Sequence, residues 1–218
     1  MVSVIIPVLN EEVYIGKLLS AFNKRSDDFE LIVVDGGSTD NTEAVVKNYN
    51  QVNYINSVRG RASQMNAGAK MGNGEKLFFI HADSQLSDEL LGQLPYINSQ
   101  AATFTLKFDS KRVLYRFYAW FTKYNYSLFT YGDQGLFVSK ELFFKVGGYK
   151  IIPLLEDVDL LSRIRKINKV DKLPYTITTS ARRFEKNGIL LQQLRNIVIM
   201  VGYYLGINPH FLARYYKY

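Results

Sequence analysis

Three stretches of this chain place carboxylates directly after short apolar runs: Pro7-Val8-Leu9-Asn10-Glu11, Asp35-Gly36-Gly37-Ser38-Thr39-Asp40 and His81-Ala82-Asp83-Ser84. An ionised carboxylate accepts hydrogen bonds, coordinates hard divalent cations and takes protons as a general base. A single Asp in such a place is ordinarily a turn or a helix cap. Three such loops at one sheet edge ask for more than capping, because ligands of open parallel sheets gather beyond the carboxyl ends of the strands. A further acidic pair, Glu156-Asp157, opens a predicted helix, where carboxylates also favour the positive end of the helix dipole. Arg59 and Arg61 precede a helix that begins near Ala62, and Arg182 and Arg183 follow Ser180-Ala181. Their planar, permanently charged forks suit phosphates, and the same residues also serve as solvated surface cations or ion-pair partners.

The elements that must position these groups follow from the apolar pattern. Residues 2–9, 31–34 and 77–80 are rich in Val, Ile, Leu and Phe without polar alternation, as in strands covered on both faces of a parallel sheet. Between them, Ile15, Leu18, Leu19 and Phe22 form one buried helical stripe that Asn10 can cap. Asp40 and Glu43 resemble a capping box opening a helix with Val45, Val46 and Tyr49. Strand–helix repeats of this kind predict right-handed crossovers and a doubly wound α/β sheet. In the second half, residues 101–108 and 136–138 read as strands, with a sheet-edge or antiparallel addition. Residues 112–131, 156–167 and 189–204 read as helices, the first with a stripe of Leu114, Phe117, Phe121 and Leu128. No linker or repeat divides the chain, so one domain over residues 1–218 is expected. Its parts are residues 1–100, residues 101–183 and a helical C-terminal extension (184–218).

In order and spacing, PVLNE, VVDGGSTDNT, GRASQMNAGA, FFIHADS, GDQGLFVSKELFFKVGGY and LLEDVDLLSRIR resemble the motifs of the family 2 glycosyltransferases with the GT-A fold. The similarity runs from Val2 to about Arg183 and implies a nucleotide-binding half in residues 1–100 and an acceptor and catalytic half in residues 101–183. FIHADS, GDQ and ARRF look most like a small bacterial subgroup associated with arsenosugar biosynthesis. The resemblance implies a predominantly parallel sheet flanked by helices and an inverting transfer of a sugar from a nucleoside diphosphate, UDP first and GDP or dTDP next, to an acceptor hydroxyl. It implies that Pro7, Asn10 and Glu11 frame the nucleotide, that Asp35 accepts the imide N–H of a uracil-like base, and that Arg61 lies near base and phosphates. Asp83 takes the final place of the family's Asp-x-Asp, which binds Mn²⁺ or Mg²⁺ on the donor diphosphate. His81 replaces the first acid of that motif; it suits Mn²⁺ better than Mg²⁺, or is a structural residue at a strand end. Asp157 is implied as the base, with Glu156 as the alternative or as a group that orients the acceptor. Asp133, Gln134, Arg182 and Arg183 are implied on the acceptor or diphosphate side. Asn66 and Gly68 imply close helix packing or a nucleotide contact. Taken alone, Asn10 and Glu11 are equally readable as helix caps.

The whole composition bounds the alternatives. With 218 residues, 47% apolar and 22% charged, the chain can build a sizeable core. The absence of Cys excludes disulfide-stapled and thiolate–zinc architectures and permits a cytoplasmic location. No basic leader or cleavage site marks a secretory signal, and the apolar stretch 197–207 is short of the roughly 18–20 residues of a bilayer span. The charge of +7 favours anionic partners. A nucleic-acid module would use that charge without needing ordered carboxylates, and no nucleic-acid motif is present. A sugar-phosphate nucleotidyltransferase would need a glycine-rich basic loop where PVLNEE is acidic. A noncatalytic sugar-nucleotide binder remains the competing reading, on the strength of His81. The basic, aromatic end with Tyr203, Tyr204, Tyr215, Tyr216 and Lys217 can rest at a membrane interface, though ordinary helix packing is the simpler expectation.

Overall fold

A computed structural model of the chain describes residues 1–23, 25–110, 112, 115, 119–120, 122–123, 132–182 and 188–215. The chain runs β1 (Val2–Val8), α1 (Ile15–Asn23), β2 (Phe29–Asp35), α2 (Thr42–Lys47), β3 (Val52–Asn56), α3 (Arg61–Met71), β4 (Lys76–Phe79), β5 (Gln85–Leu86), α4 (Asp88–Gln93), β6 (Ala101–Phe108), β7 (Leu136–Ser139), α5 (Lys140–Lys145), α6 (Glu156–Arg165), β8 (Asp171–Thr179), α7 (Ile189–Tyr204) and α8 (Pro209–Ala213).

Every residue of β1 is buried, so the strand is covered on both sides and its alternating side chains feed two cores. Val2, Val4, Ile6 and Val8 pack with Leu18 and Phe22 of α1, Val46 of α2 and Leu90 of α4. Ile5 packs on the opposite face with Met65 and Ala69 of α3, Phe143 of α5 and Leu160 and Ile164 of α6. This is the doubly wound arrangement that the apolar runs predict.

The eight strands lie in the order β3-β2-β1-β4-β7-β6-β8-β5. β1 runs parallel to β2 and β4, β2 to β3, and β6 to β8. β7 is antiparallel to both β4 and β6, and β5 to β8. The sheet is therefore mixed, with its antiparallel addition at β7 in the interior and at β5 on the edge. The chain winds outward from β1 through β2 and β3, then returns to β4 on the other side of β1. The β1/β4 junction is thus a topological switch point, where a crevice opens at the carboxyl ends of the strands.

Several local expectations differ. Asn10 does not cap α1, which begins at Ile15; Asn10 takes the left-handed conformation (φ 56°) and bonds to the neighbouring loop instead. Asp40 and Glu43 do not form a capping box: α2 is preceded by Asn41, Asp40 accepts from Thr42, and Glu43 pairs with Lys47 one turn on. β3 and β8 were not expected from the sequence. Neither carries an unbroken apolar run, and β8 contains Pro174 at an irregularity opposite Phe104 and Thr105. Most of the helix expected over 112–131 lies outside the described residues.

Candidate active site

The loops after β1 and β2 are fastened to each other before they hold anything else. Asp35, almost fully buried, accepts backbone N–H bonds from Gly37 and Ser38 at 2.7 Å each and the Tyr54 hydroxyl at 2.6 Å. Burial and the adjoining carboxylate push the Tyr54 phenol well up. Three protein donors leave Asp35 about one of its four lone-pair positions. Asn10 donates its N–H to Ser38 Oγ and accepts from Thr39 N at 2.8 Å. The Glu11 N–H donates to Thr42 Oγ1 at 2.8 Å. Gln64 of α3, which carried no expectation, locks the same edge by donating to the carbonyls of Val8 and Val34 at 2.7 and 2.8 Å.

Beside this frame, charge is concentrated. Arg182 donates to Glu11 Oε1 at 2.6 Å, lies 3.6 Å from Asp83 and stacks over Tyr14 with 4.6 Å to the ring centroid. Glu11 Oε2 is buried and has no hydrogen-bond partner among the described residues. His81 Nε2 lies 3.7 Å from Asp133 Oδ1. Burial, with the charges of Asp133 and Glu11, pushes the Asp83 carboxyl up to about 6, against the opposing pull of Arg182. An orphaned buried carboxylate oxygen beside a second carboxylate suits a hard divalent cation. Among the described residues no three acidic or imidazole groups converge closely enough to hold one alone. A cation here would need further ligands from solvent or a bound anion, and Glu11 and Asp83 are the carboxylates that could hold it.

The acidic pair sits across a narrow cleft of about 20 Å³, room for roughly one water. Pro7, Arg61, His81, Gly132, Tyr149, Glu156 and Asp157 line it. Glu156 and Asp157 open α6 from a strained start: Leu155 is a non-glycine residue at φ 62°, a conformation that costs on the order of 1–3 kcal/mol. The strain is held in place from both sides. Asn66 of α3 exchanges two hydrogen bonds with the Tyr149 backbone, at 2.7 and 2.9 Å. Asp159 binds Lys150 at 2.8 Å and Arg163 at 2.7 Å, while Arg163 donates to the carbonyl of Gly148. Arg61 Nε meets Glu156 Oε1 at 2.9 Å. Asp157 accepts from the backbone N–H groups of Val158 and Gly132. A Cβ at residue 132 would stand 2.7 Å from Asp157 Oδ2, so glycine is what permits this approach. Burial raises both carboxyl groups; Arg61 opposes the rise in each.

The structure therefore brings Pro7, Arg61, His81, Glu156 and Asp157 to one cleft, and Glu11, Asp83, Asp133 and Arg182 to one charge cluster. Gln134 does not join them: it is fully buried and accepts from Lys172 of β8 instead of lining the cleft. The resemblance implied it on the acceptor or diphosphate side; in the structure its side-chain oxygen meets the partly buried amine of Lys172. Arg59 is exposed, and Arg183 lies outside the described residues. Of the two readings of Asn66 and Gly68, close packing is what the contacts show: a Cβ on Gly68 would stand 2.5 Å from Ile5 Cγ2. The roles of Tyr14, Tyr54, Gln64 and Tyr149 had no signal in the sequence, since each depends on a partner distant in the chain.

A mixed sheet with a switch-point cleft bordered by carboxylates defines a nucleotide-binding α/β class. Residues 3–153 match the model of glycosyl transferase family 2, and the chain belongs to that family. Over 98 residues it is 34% identical to the poly(ribitol-phosphate) beta-N-acetylglucosaminyltransferase TarS of Staphylococcus aureus (strain Mu50), a match to 41% of this chain and 17% of TarS. The solved S. aureus TarS structure gives a TM-score of 0.69 at 19% identity, over 92% of this chain and 65% of that one. The mannosyltransferase PcManGT from Pyrobaculum calidifontis, in complex with GDP-Man and Mn²⁺, gives 0.68 at 20% identity, over 92% and 60%. Glucosyl-3-phosphoglycerate synthase from Mycobacterium tuberculosis, in complex with Mn²⁺, UDP-Glc and phosphoglyceric acid, gives 0.63 at 18% identity, over 93% and 80%. These likenesses establish the GT-A fold.

Proposed function

We propose that the chain is an inverting glycosyltransferase that moves a sugar from a nucleoside diphosphate, UDP first, to an acceptor hydroxyl with the help of a divalent cation. The observation that carries this reading is the Glu156–Asp157 pair in the cleft at the β1/β4 switch point, with Glu156 buried against Arg61. In the proposed step Asp157 removes the acceptor proton, the acceptor oxygen bonds to the anomeric carbon, and the bond to the diphosphate breaks with its electron pair leaving on the diphosphate. Glu156, neutralised by Arg61, orients the acceptor. Pro7, Asn10, Glu11 and Asp35 frame the nucleoside, Asp35 through its remaining lone pair. A bound cation supplies charge neutralisation for the leaving diphosphate. Arg182 adds a fixed positive charge at the same edge, with Asp133 and His81 beside it. Solved neighbours in complex with Mn²⁺ and either GDP-Man or UDP-Glc support the donor class. Within the family, His81 in FIHADS and the GDQ and ARRF segments support a place near the arsenosugar-associated subgroup.

The test is thermal unfolding with UDP, GDP and dTDP, each with Mn²⁺, Mg²⁺ or chelator. A ligand at 100 times its Kd stabilises the native state by about 2.7 kcal/mol. The expected result is a metal-enhanced rise in Tm selective for one nucleotide. Folded protein that responds to none of them would reduce the reading to a shared fold.

A further inference from the structure

The helix α7 is apolar on its inner and its outer face alike. Its inner face is tied down: Ile199 packs with Leu154 and Leu212, and Leu155 and Tyr203 border the same cluster, next to the start of α6. Its outer face carries Leu191, Leu194, Val198 and Val201 at helical spacing and ends in Leu205 just past the helix; these are between 48% and 76% exposed. A surface helix ordinarily turns charged residues outward, yet this stripe has none. In α8 and just beyond it, the exposed Phe211 and Tyr215 extend the apolar surface, with their rings 5.4 Å apart. An apolar surface of this extent marks a contact. At 16 residues α7 is short for a bilayer span, and no helix among the described residues is long and apolar enough to cross a membrane.

We propose that the outer face of α7, continued by α8, lies in the interface of an anionic lipid bilayer. The charge of this region selects that occupant. After Glu185 the sequence has no Asp or Glu, while it has Lys186, Arg195, Arg214 and Lys217. Cations bordering an apolar helix face are attracted to anionic headgroups, and tyrosine suits the boundary between acyl chains and water. A second copy of the same face would instead set these cations against one another with no acid to balance them. The inner face of α7 packs beside the strained entry to Glu156 and Asp157, so the bound bilayer would stand one helix layer from the cleft. The proposal does not depend on the identity of the donor.

The test is cosedimentation of the full chain with vesicles of phosphatidylglycerol and phosphatidylcholine, against vesicles of phosphatidylcholine alone. Binding is expected on the anionic vesicles, weakened by high salt. The double variant Leu194→Ser with Val201→Ser should lose roughly tenfold or more in bound fraction, as expected on removing two buried apolar side chains. Its Tm and its response to nucleotide should stay unchanged, which separates this result from failure of the nucleotide site. No binding of the parent chain to anionic vesicles would overturn the proposal, as would binding that the variant retains in full. Concentration-dependent dimerisation abolished by the variant, without vesicle binding, would also overturn it and give the face to a second copy.

Discussion

Glu156 and Asp157 are adjacent in the chain and differ in what neutralises them. Glu156 is in direct contact with the Arg61 guanidinium, whereas the hydrogen bonds to Asp157 among the described residues come from backbone N–H groups. Asp157, raised by burial and opposed by Arg61 without direct contact, is the better placed of the two to take a proton. Asp157→Asn keeps an oxygen for the Gly132 N–H but cannot take a proton. Transfer should fall by at least ~100-fold while nucleotide-induced stabilisation persists. Near-normal transfer by this variant, with loss in Glu156→Gln, would exchange the two roles. At this scale the sequence shows which residues can do chemistry and hides which of them are already engaged. Asp35 is expected to meet a base and Gln134 the acceptor or diphosphate side, yet both are already bonded within the protein. Their partners, Tyr54 and Lys172, come from β3 and β8, two strands that the apolar pattern does not reveal.

Among the elements, those with a clean periodic stripe were legible. The stripe of α1 and the continuous apolar run of β1 map directly onto the two cores. Helix α3 is different, because small residues rather than a stripe bring it close to the sheet. Gly68 lies where a methyl group would stand 2.5 Å from Ile5 Cγ2 and 3.1 Å from Val34 Cγ2. Both neighbours belong to central strands and have little room to retreat. Gly68→Ala should therefore destabilise by about 1–3 kcal/mol, the usual range for overpacking, and lower Tm by roughly 2–4 °C per kcal/mol. Because α3 also carries Arg61, Gln64 and Asn66, the same variant should weaken nucleotide-induced stabilisation. An unchanged Tm, measured by calorimetry, would show that α3 can shift outward without cost and does not fix the cleft. The boundaries of the loops were the least legible feature. Asn10 and Asp40 have the chemistry of caps, but each bonds across to the other's loop region, and such a tertiary bond leaves no local trace.

Over the whole molecule the net charge is +7, yet the C-terminal edge of the central strands collects Glu11, Asp83, Asp133, Glu156 and Asp157 against Arg61 and Arg182. That imbalance makes stability depend on pH. Asp83 is raised to about 6, with burial as the main cause, and Glu156 and Asp157 are raised as well. A carboxyl group raised above its unfolded value, near 4, binds more protons when folded. Its contribution is complete below that value and is lost as pH rises through the folded pKa. Lys172, lowered to about 7 by burial, changes stability in the opposite sense only above that pH. Glu30 and Asp171, both lowered, act below the ordinary carboxylate range. Between pH 5 and 7 the raised acids dominate, so the ligand-free Tm should fall across this window. A divalent cation bound at this edge with a nucleoside diphosphate would bring positive charge to the carboxylates and need them ionised. Calorimetry with Mn²⁺ and UDP should then show a larger rise in Tm at pH 7 than at pH 5, reversing much of the ligand-free decline. Equal rises at both values would mean that the nucleotide binds without engaging the acidic edge, and the cation would have to be placed elsewhere.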